Sequence, residues 1–236
     1  MTGAVIAIDG PSASGKSSTA RAVAEALGFS HLDSGALYRG VTLVALRELA
    51  RRDVEGPDPV GRLGPEAILR AAEDRGLMLQ PDGAGFTPYL DGEPVDAEIR
   101  SAEVTAQVSS ISAIPVIREW INSRLRATVR AGRDVVVDGR DIGTVVFPEA
   151  DLKIFLTATP EVRAGRRIAQ RGGEVDPQRV GAEAAALAAR DQADSGRAVA
   201  PLRRAEDAVA LDTTVLRFDD QVRAILDLAR PIFRGK

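Results

Sequence analysis

Apolar runs of strand length alternate with helical patterns along this chain. Val5-Ile6-Ala7-Ile8 is the first such run, and residues 29–32, 134–141, 152–156 and 209–211 hold others. Between them, apolar positions recur at helical spacing over 17–27, which stops at Gly28, and over 36–49 through Leu37, Val41, Val44, Ala45, Leu46 and Leu49. The same spacing predicts helices over 97–112, from Pro115 to residue 130, and over 160–171, 177–194 and 219–229. Strands separated by helices predict an α/β fold on a doubly wound parallel sheet. Residues 62–104 break the rhythm: a helix over 65–75 ends at Gly76, short strands follow at 77–80 and 86–90, and Asp91-Gly92 turns the chain into 93–95. That stretch reads as a small α+β insert. Residues 51–65, rich in Pro, Gly and Asp, read as a loop and candidate boundary. The expected division is a core over 1–61 and 105–236, with the insert over 62–104.

The first strand feeds the segment that carries the most chemistry. Gly10-Pro11-Ser12-Ala13-Ser14-Gly15-Lys16-Ser17 fits G-x-x-x-x-G-K-[ST] in the strand, loop and helix context that the pattern requires. In a chain with three lysines and 22 glycines, roughly 0.003 chance matches are expected. Gly10 and Gly15 let the backbone curl so that successive N–H groups point inward, and the next helix adds the positive end of its dipole. Gly10 through Ser18 are therefore the candidate contacts to ATP phosphates, with Lys16 on the β and γ groups and Ser17 on magnesium.

Bulk composition narrows the partners. The 236 residues carry a net charge of −3 and only 4% aromatics, which argues against a general nucleic-acid surface or a base-stacking platform. With no cysteine there is no disulfide framework, thiolate nucleophile or zinc cluster. No apolar run approaches a membrane span, so no membrane partner is expected and the cytoplasm is the default. His31, the single histidine, reads as a satisfied residue at the core edge, and Trp120 as a core residue of its helix. Arginines number 28, so only arginines at definite spacing count. Arg163, Arg166 and Arg167 share a helix face, as do Arg190 and Asp194, and each face can present guanidiniums to a polyphosphate or lie in solvent as an ordinary charged face.

A regulatory GTPase would need Asn-Lys-x-Asp, but the only asparagine, Asn122, precedes Ser123. A cluster of polar residues over four distant segments suggests instead a second small substrate beside ATP. Asp33-Ser34-Gly35-Ala36-Leu37-Tyr38-Arg39, Asp138-Gly139-Arg140-Asp141-Ile142-Gly143-Thr144-Val145-Val146-Phe147-Pro148 and Arg197-Ala198-Val199-Ala200-Pro201-Leu202 resemble the hallmark segments of bacterial cytidylate kinases. The likeness runs over essentially the whole chain.

That resemblance implies a phosphate-loop nucleoside monophosphate kinase fold with a helical lid over about 160–200. It implies transfer of the γ-phosphoryl group of ATP to CMP or dCMP with Mg2+; apart from it, a monomer acting on free nucleotides is expected. It places Ser34, Tyr38 and Arg39 near the acceptor phosphate, and Ser109, Arg118 and Asp141 in the cytosine pocket. Arg140 and Arg190 fall on phosphates, Asp194 and Arg197 on the ribose side, and Arg163, Arg166 and Arg167 where the lid closes over ATP. Lys16, Arg140, Arg163 and Arg190 are then the catalytic set. Asp138 matches the acid that acts on magnesium in such enzymes, while a carboxylate capping the Gly139 turn stays open as the second reading. Ser14 stands where glycine or alanine is common, and Ser195-Gly196 where relatives carry larger polar residues. A kinase for UMP or another small acceptor, and a nucleotide-dependent switch without transfer activity, are the competing readings.

Overall fold

The structure, a computed structural model, describes residues 3–53 and 59–233. In chain order its elements are β1 (Val5–Asp9), α1 (Lys16–Leu27), β2 (Ser30–Asp33), α2 (Ser34–Arg51), α3 (Pro59–Leu63), α4 (Pro65–Asp74), β3 (Met78–Asp82), β4 (Gly85–Leu90) and β5 (Glu93–Pro94). There follow α5 (Ala102–Ser112), α6 (Pro115–Arg130), β6 (Val135–Gly139), β7 (Leu152–Thr157), α7 (Pro160–Gln170), α8 (Pro177–Ser195), β8 (Val209–Asp212) and α9 (Phe218–Phe233). A 3-10 turn at Glu98–Arg100 and a π-helical turn at Ile142–Val146 complete the set. Residues 3–32 with 129–233 make one compact unit and residues 33–128 a second.

The first unit is an α/β sheet in the order β2-β6-β1-β7-β8, with β1 parallel to β6 and β7, and β7 parallel to β8. Ala4, Ile6, Ile8, Val136 and Ile154 line one face and are closed off by Val23 and Ala24 of α1 and Ile225 and Ala229 of α9. Burying each large aliphatic side chain here contributes about 1.5–3 kcal/mol. Register pairs Ile8 with Asp138 and Asp9 with Gly139. Since successive side chains alternate across a strand, Asp138 lies on the α1 face and Asp9 on the opposite one. Both stand at the carboxyl ends of central strands, where open α/β sheets bind ligands.

The second unit packs α2 against α4 and α5, and β3, β4 and β5 form an antiparallel meander. Asp91 (φ 56°) and Gly92 (φ 81°) both take left-handed backbone in the tight turn between β4 and β5, as the Asp-Gly pair requires.

Five expectations change. The helix expected over 97–112 is interrupted: after the 3-10 turn the chain leaves helical geometry at Ser101, whose hydroxyl accepts the Val104 N–H at 3.3 Å and so starts α5 afresh. The helix expected from residue 36 begins at Ser34, and the strand expected to 141 ends at Gly139. The loop expected over 51–65 holds α3 at Pro59–Leu63, and its residues 54–58 lie outside the described residues. Trp120 is half-buried rather than in the core: its indole N–H donates to Glu73 at 2.7 Å and the Arg124 guanidinium covers its ring at 3.4 Å. An indole whose N–H needs a partner is better served at such an edge than in an apolar interior.

Candidate active site

The phosphate loop turns on left-handed backbone. Gly10 takes φ 151°, and a Cβ there would meet the Leu156 carbonyl oxygen at 2.2 Å; Gly15 takes φ 92° and precedes the first residue of α1. Ala13 also has positive φ, at 59°, so strain falls there and not on Ser14, the position that the sequence flagged. Ser14 is fully buried, with its hydroxyl 3.5 Å from the Lys16 ammonium. Lys16 folds back into the loop and donates to the Pro11 carbonyl at 2.7 Å. Burial, then the Arg140 guanidinium, hold its pKa well below the ordinary lysine value, against the opposing pull of Asp138, Asp9 and Asp191.

Arginines from two segments converge on the loop. Arg140, just past β6, donates to the Ser12 hydroxyl at 2.9 Å and to Asp194 of α8 at 2.9 Å. Arg163 of α7, only 6% exposed, donates to the Ser12 carbonyl at 2.9 Å and to Asp191, which also accepts the Ser12 N–H at 2.9 Å. Arg166 reaches the Ser14 carbonyl at 3.4 Å and holds Thr213 through both its hydroxyl and its carbonyl. Arg163 and Arg166 are therefore not a solvated helix face. Arg167 is half-buried beside Gln170. Asp194, 2% exposed, bonds Arg140 and Arg197 and not Arg190 one turn earlier. The Arg190 Nε is buried without a hydrogen-bond partner among the described residues. Burial and the Arg140 charge lower the Arg190 pKa, partly offset by Asp194, and Arg167 lowers it further. Lys16, Arg140, Arg163 and Arg166 thus gather at this loop, with Asp191 and Asp194 paired to Arg163 and Arg140.

Ser17, exposed on the first turn of α1, donates to Asp138 at 2.6 Å, while His31 holds the other Asp138 oxygen at 2.8 Å. Burial would raise the Asp138 pKa, but the bonds from His31 and Ser17 outweigh it and hold the carboxyl below its ordinary range. A hydroxyl and a carboxylate are hard oxygen donors that suit magnesium, and two are too few to hold the ion alone. Among the described residues no cluster of three His, Cys, Asp or Glu could do so. The site thus fits a cation that comes with phosphates. His31, read from sequence only as a satisfied edge residue, fixes one of these donors; a contact 107 positions away leaves no local signal.

The segment after β6 opens with Arg140 and Asp141, and Asp141 is 4% exposed at the start of the π-helical turn. Asp9 accepts the Ile142 N–H at 2.9 Å and the Gly143 N–H at 2.8 Å. Neither Asp9 nor Asp191 was singled out in the sequence, where each is one acidic residue among 34.

In the second unit Ser34 is buried at the start of α2, and Arg118 of α6 lies over the Tyr38 ring at 5.3 Å while donating to the Ser112 carbonyl at 2.9 Å. Arg39 donates to Thr105 at 2.9 Å and to the Ile99 carbonyl at 3.2 Å. Ser109 is half-buried on α5, its carbonyl taken by Ser112.

Known proteins are similar to this chain over most of its length. The family model described as cytidylate kinase matches residues 6–231. Relatives named cytidylate kinase include one from Streptomyces griseus, 46% identical over 225 residues (95% of this chain, 91% of that one). Another, from Rhodococcus opacus, is 44% identical over 223 residues (94% and 93%), and one from a Geobacillus species is 40% identical over 223 residues (94% and 95%).

Proposed function

The chain belongs to the cytidylate kinase family, and from that premise we propose that it moves the γ-phosphoryl group of ATP onto CMP or dCMP, giving ADP and CDP or dCDP. The observation that carries this reading is the set of cations around the phosphate loop: Lys16, Arg140, Arg163 and Arg166 all reach its backbone or side chains. A triphosphate would add negative charge beside Lys16 and Arg190, whose pKa values burial and the Arg140 charge hold down.

The attacking atom is an anionic phosphate oxygen of the acceptor, so the enzyme needs no general base. Attack breaks the bond between the γ-phosphorus and its bridging oxygen, and the electron pair leaves with ADP. What the chain must provide is alignment and neutralisation of the charge spread over the transferring oxygens. Lys16 and the loop amides hold the donor phosphates, and Arg140, Arg163 and Arg190 face the transferring group, with Arg166 and Arg167 on ATP. Asp194 orients Arg140, since it occupies the Nε edge of that guanidinium. Ser17 and Asp138 would hold magnesium, which would supply charge neutralisation for the transfer when bound. The acceptor is assigned to Arg140, Asp141, Arg190, Asp194 and Arg197, together with Ser34, Tyr38, Arg39, Ser109 and Arg118.

An acceptor panel tests the reading. CMP and dCMP should each release ADP about a hundredfold faster than UMP, because a buried acceptor such as Asp141 is left unmatched by uracil. UMP outpacing CMP would sink the assignment to cytosine, and ATP turnover indifferent to every monophosphate would favour a switch protein. Removing the His31 ring tests the metal assignment separately. His31→Ala should raise the magnesium concentration needed for half-maximal rate about tenfold, the usual cost of losing a group that orients a ligand; an unchanged requirement would make Asp138 structural.

As part of the same proposal the enzyme acts in the cytoplasm as a monomer, on free nucleotides and not on nucleic acid. Among the described residues no helix is long and apolar enough to cross a membrane.

A further inference from the structure

Asp9 ends β1 one residue before the phosphate loop and is 5% exposed. Each of its oxygens accepts one backbone N–H, from Ile142 and from Gly143, the two residues that follow Arg140 and Asp141. Asp141 enters this turn with φ −143° and ψ 25°, a conformation that its own side chain does nothing to cap. One carboxylate thus ties the foot of the phosphate loop to the turn that carries two residues assigned to the acceptor. We propose that Asp9 is a positioning residue for the acceptor nucleotide: by holding the Ile142 and Gly143 amides it fixes where Asp141 and Arg140 point. The proposal rests on the kinase reading above.

Folding alone does not select a carboxylate here. The Asp9 pKa stands raised from 3.8 to about 6: burial pushes it up most, the Gly143 and Ile142 amide bonds pull it down, the Asp141 charge raises it and the Lys16 charge lowers it. Those are the charged groups around it, with the aliphatic part of the Lys153 side chain packed beside it against Gly143. No ion pair to Asp9 forms among the described residues. A group whose proton is held more tightly folded than unfolded stabilises below pH 3.8 and loses that contribution as pH rises through 6. At working pH the fold therefore carries an unfavourable charge that an asparagine would avoid. Two amides to be bonded at once, with no donor allowed between them, call for an ionised carboxylate.

The test is Asp9→Asn, whose amide group can accept only one of the two N–H bonds. We expect KM for CMP to rise about tenfold with KM for ATP within about threefold. We also expect the melting temperature, relative to wild type, to move in the variant's favour by about 5 °C between pH 4.5 and pH 8. A residue that merely supported the fold would lose melting temperature and raise both KM values together, and that result overturns the proposal. Gly143→Ala gives a second reading should the first variant fail to fold. A Cβ there meets Lys153 at 3.1 Å and Asp9 at 3.5 Å, so it shifts the turn while leaving the carboxylate in place. It should reproduce the selective rise in KM for CMP; equal change for both substrates counts against Asp9. Wild type that turns over no CMP sinks the kinase reading itself, an outcome distinct from a variant that affects ATP and CMP alike.

Discussion

Replacing Lys16 with alanine is expected to lower kcat about a thousandfold, equivalent to about 4 kcal/mol of transition-state stabilisation. The magnitude follows from where the ammonium sits. It is buried, bonded to the Pro11 carbonyl, and placed beside Arg140 so that it holds its own proton poorly. Such a cation is destabilised until anionic oxygens arrive, and its interaction strengthens as charge develops on the transferring group. KM for CMP should change little, because the acceptor is assigned to other residues. The folded protein should be no less stable, since removing a buried charge relieves a cost. A loss smaller than tenfold in single-turnover measurements would mean that the loop binds its ligand without assisting transfer.

What could be read from the sequence was whatever is local. The phosphate loop is a strand, a turn and a helix within 15 residues, and its glycines are demanded by backbone geometry, so pattern alone exposed it. The valines before Asp138 and the Asp91-Gly92 turn were legible for the same reason. Helix spacing placed Arg163 and Arg166 on one face but could not say that the face meets the loop; that depends on α7 packing near Ser12 and Ser14, about 150 positions earlier. The spacing of Arg190 and Asp194 put them on one helix face, yet Asp194 turns to Arg140, whose guanidinium is reached only through the fold. Asp9, Asp191 and His31 escaped because their partners lie 133, 179 and 107 residues away. Trp120 was misread because aromatic size suggests burial, whereas its N–H is satisfied by Glu73 at an exposed edge. Hydrogen bonds between distant segments, more than elements, were what the pattern could not supply.

Those distant bonds share a direction. Ser12 is held by Arg140, Arg163 and Asp191, and the strand that delivers it also delivers Asp9 to the turn after β6. The donor loop and the Arg140-Asp141 turn are thus braced against each other by groups that do not themselves need to touch a nucleotide. Such bracing suits a reaction in which a misplacement on the order of 1 Å costs about a hundredfold.

The turn's own carboxylate gives the sharpest test of base recognition. Asp141→Ala should lower kcat/KM for CMP about a hundredfold while KM for ATP stays within about threefold. Cytosine presents an amino donor at N4 with acceptors at N3 and O2, so a buried carboxylate matches the amino group and meets a repelling carbonyl when uracil takes its place. Removing it forfeits a charge-assisted hydrogen bond and leaves the cytosine amino group desolvated without a partner, two losses that add. UMP has no such bond to lose, so the preference for CMP over UMP should collapse to less than about tenfold. The same substitution removes the like charge that pushes up the Asp9 pKa, which should leave the fold intact at pH 8 and separate recognition from stability. Equal losses with ATP and CMP, or a CMP preference that survives the change, would place cytosine recognition elsewhere in the chain.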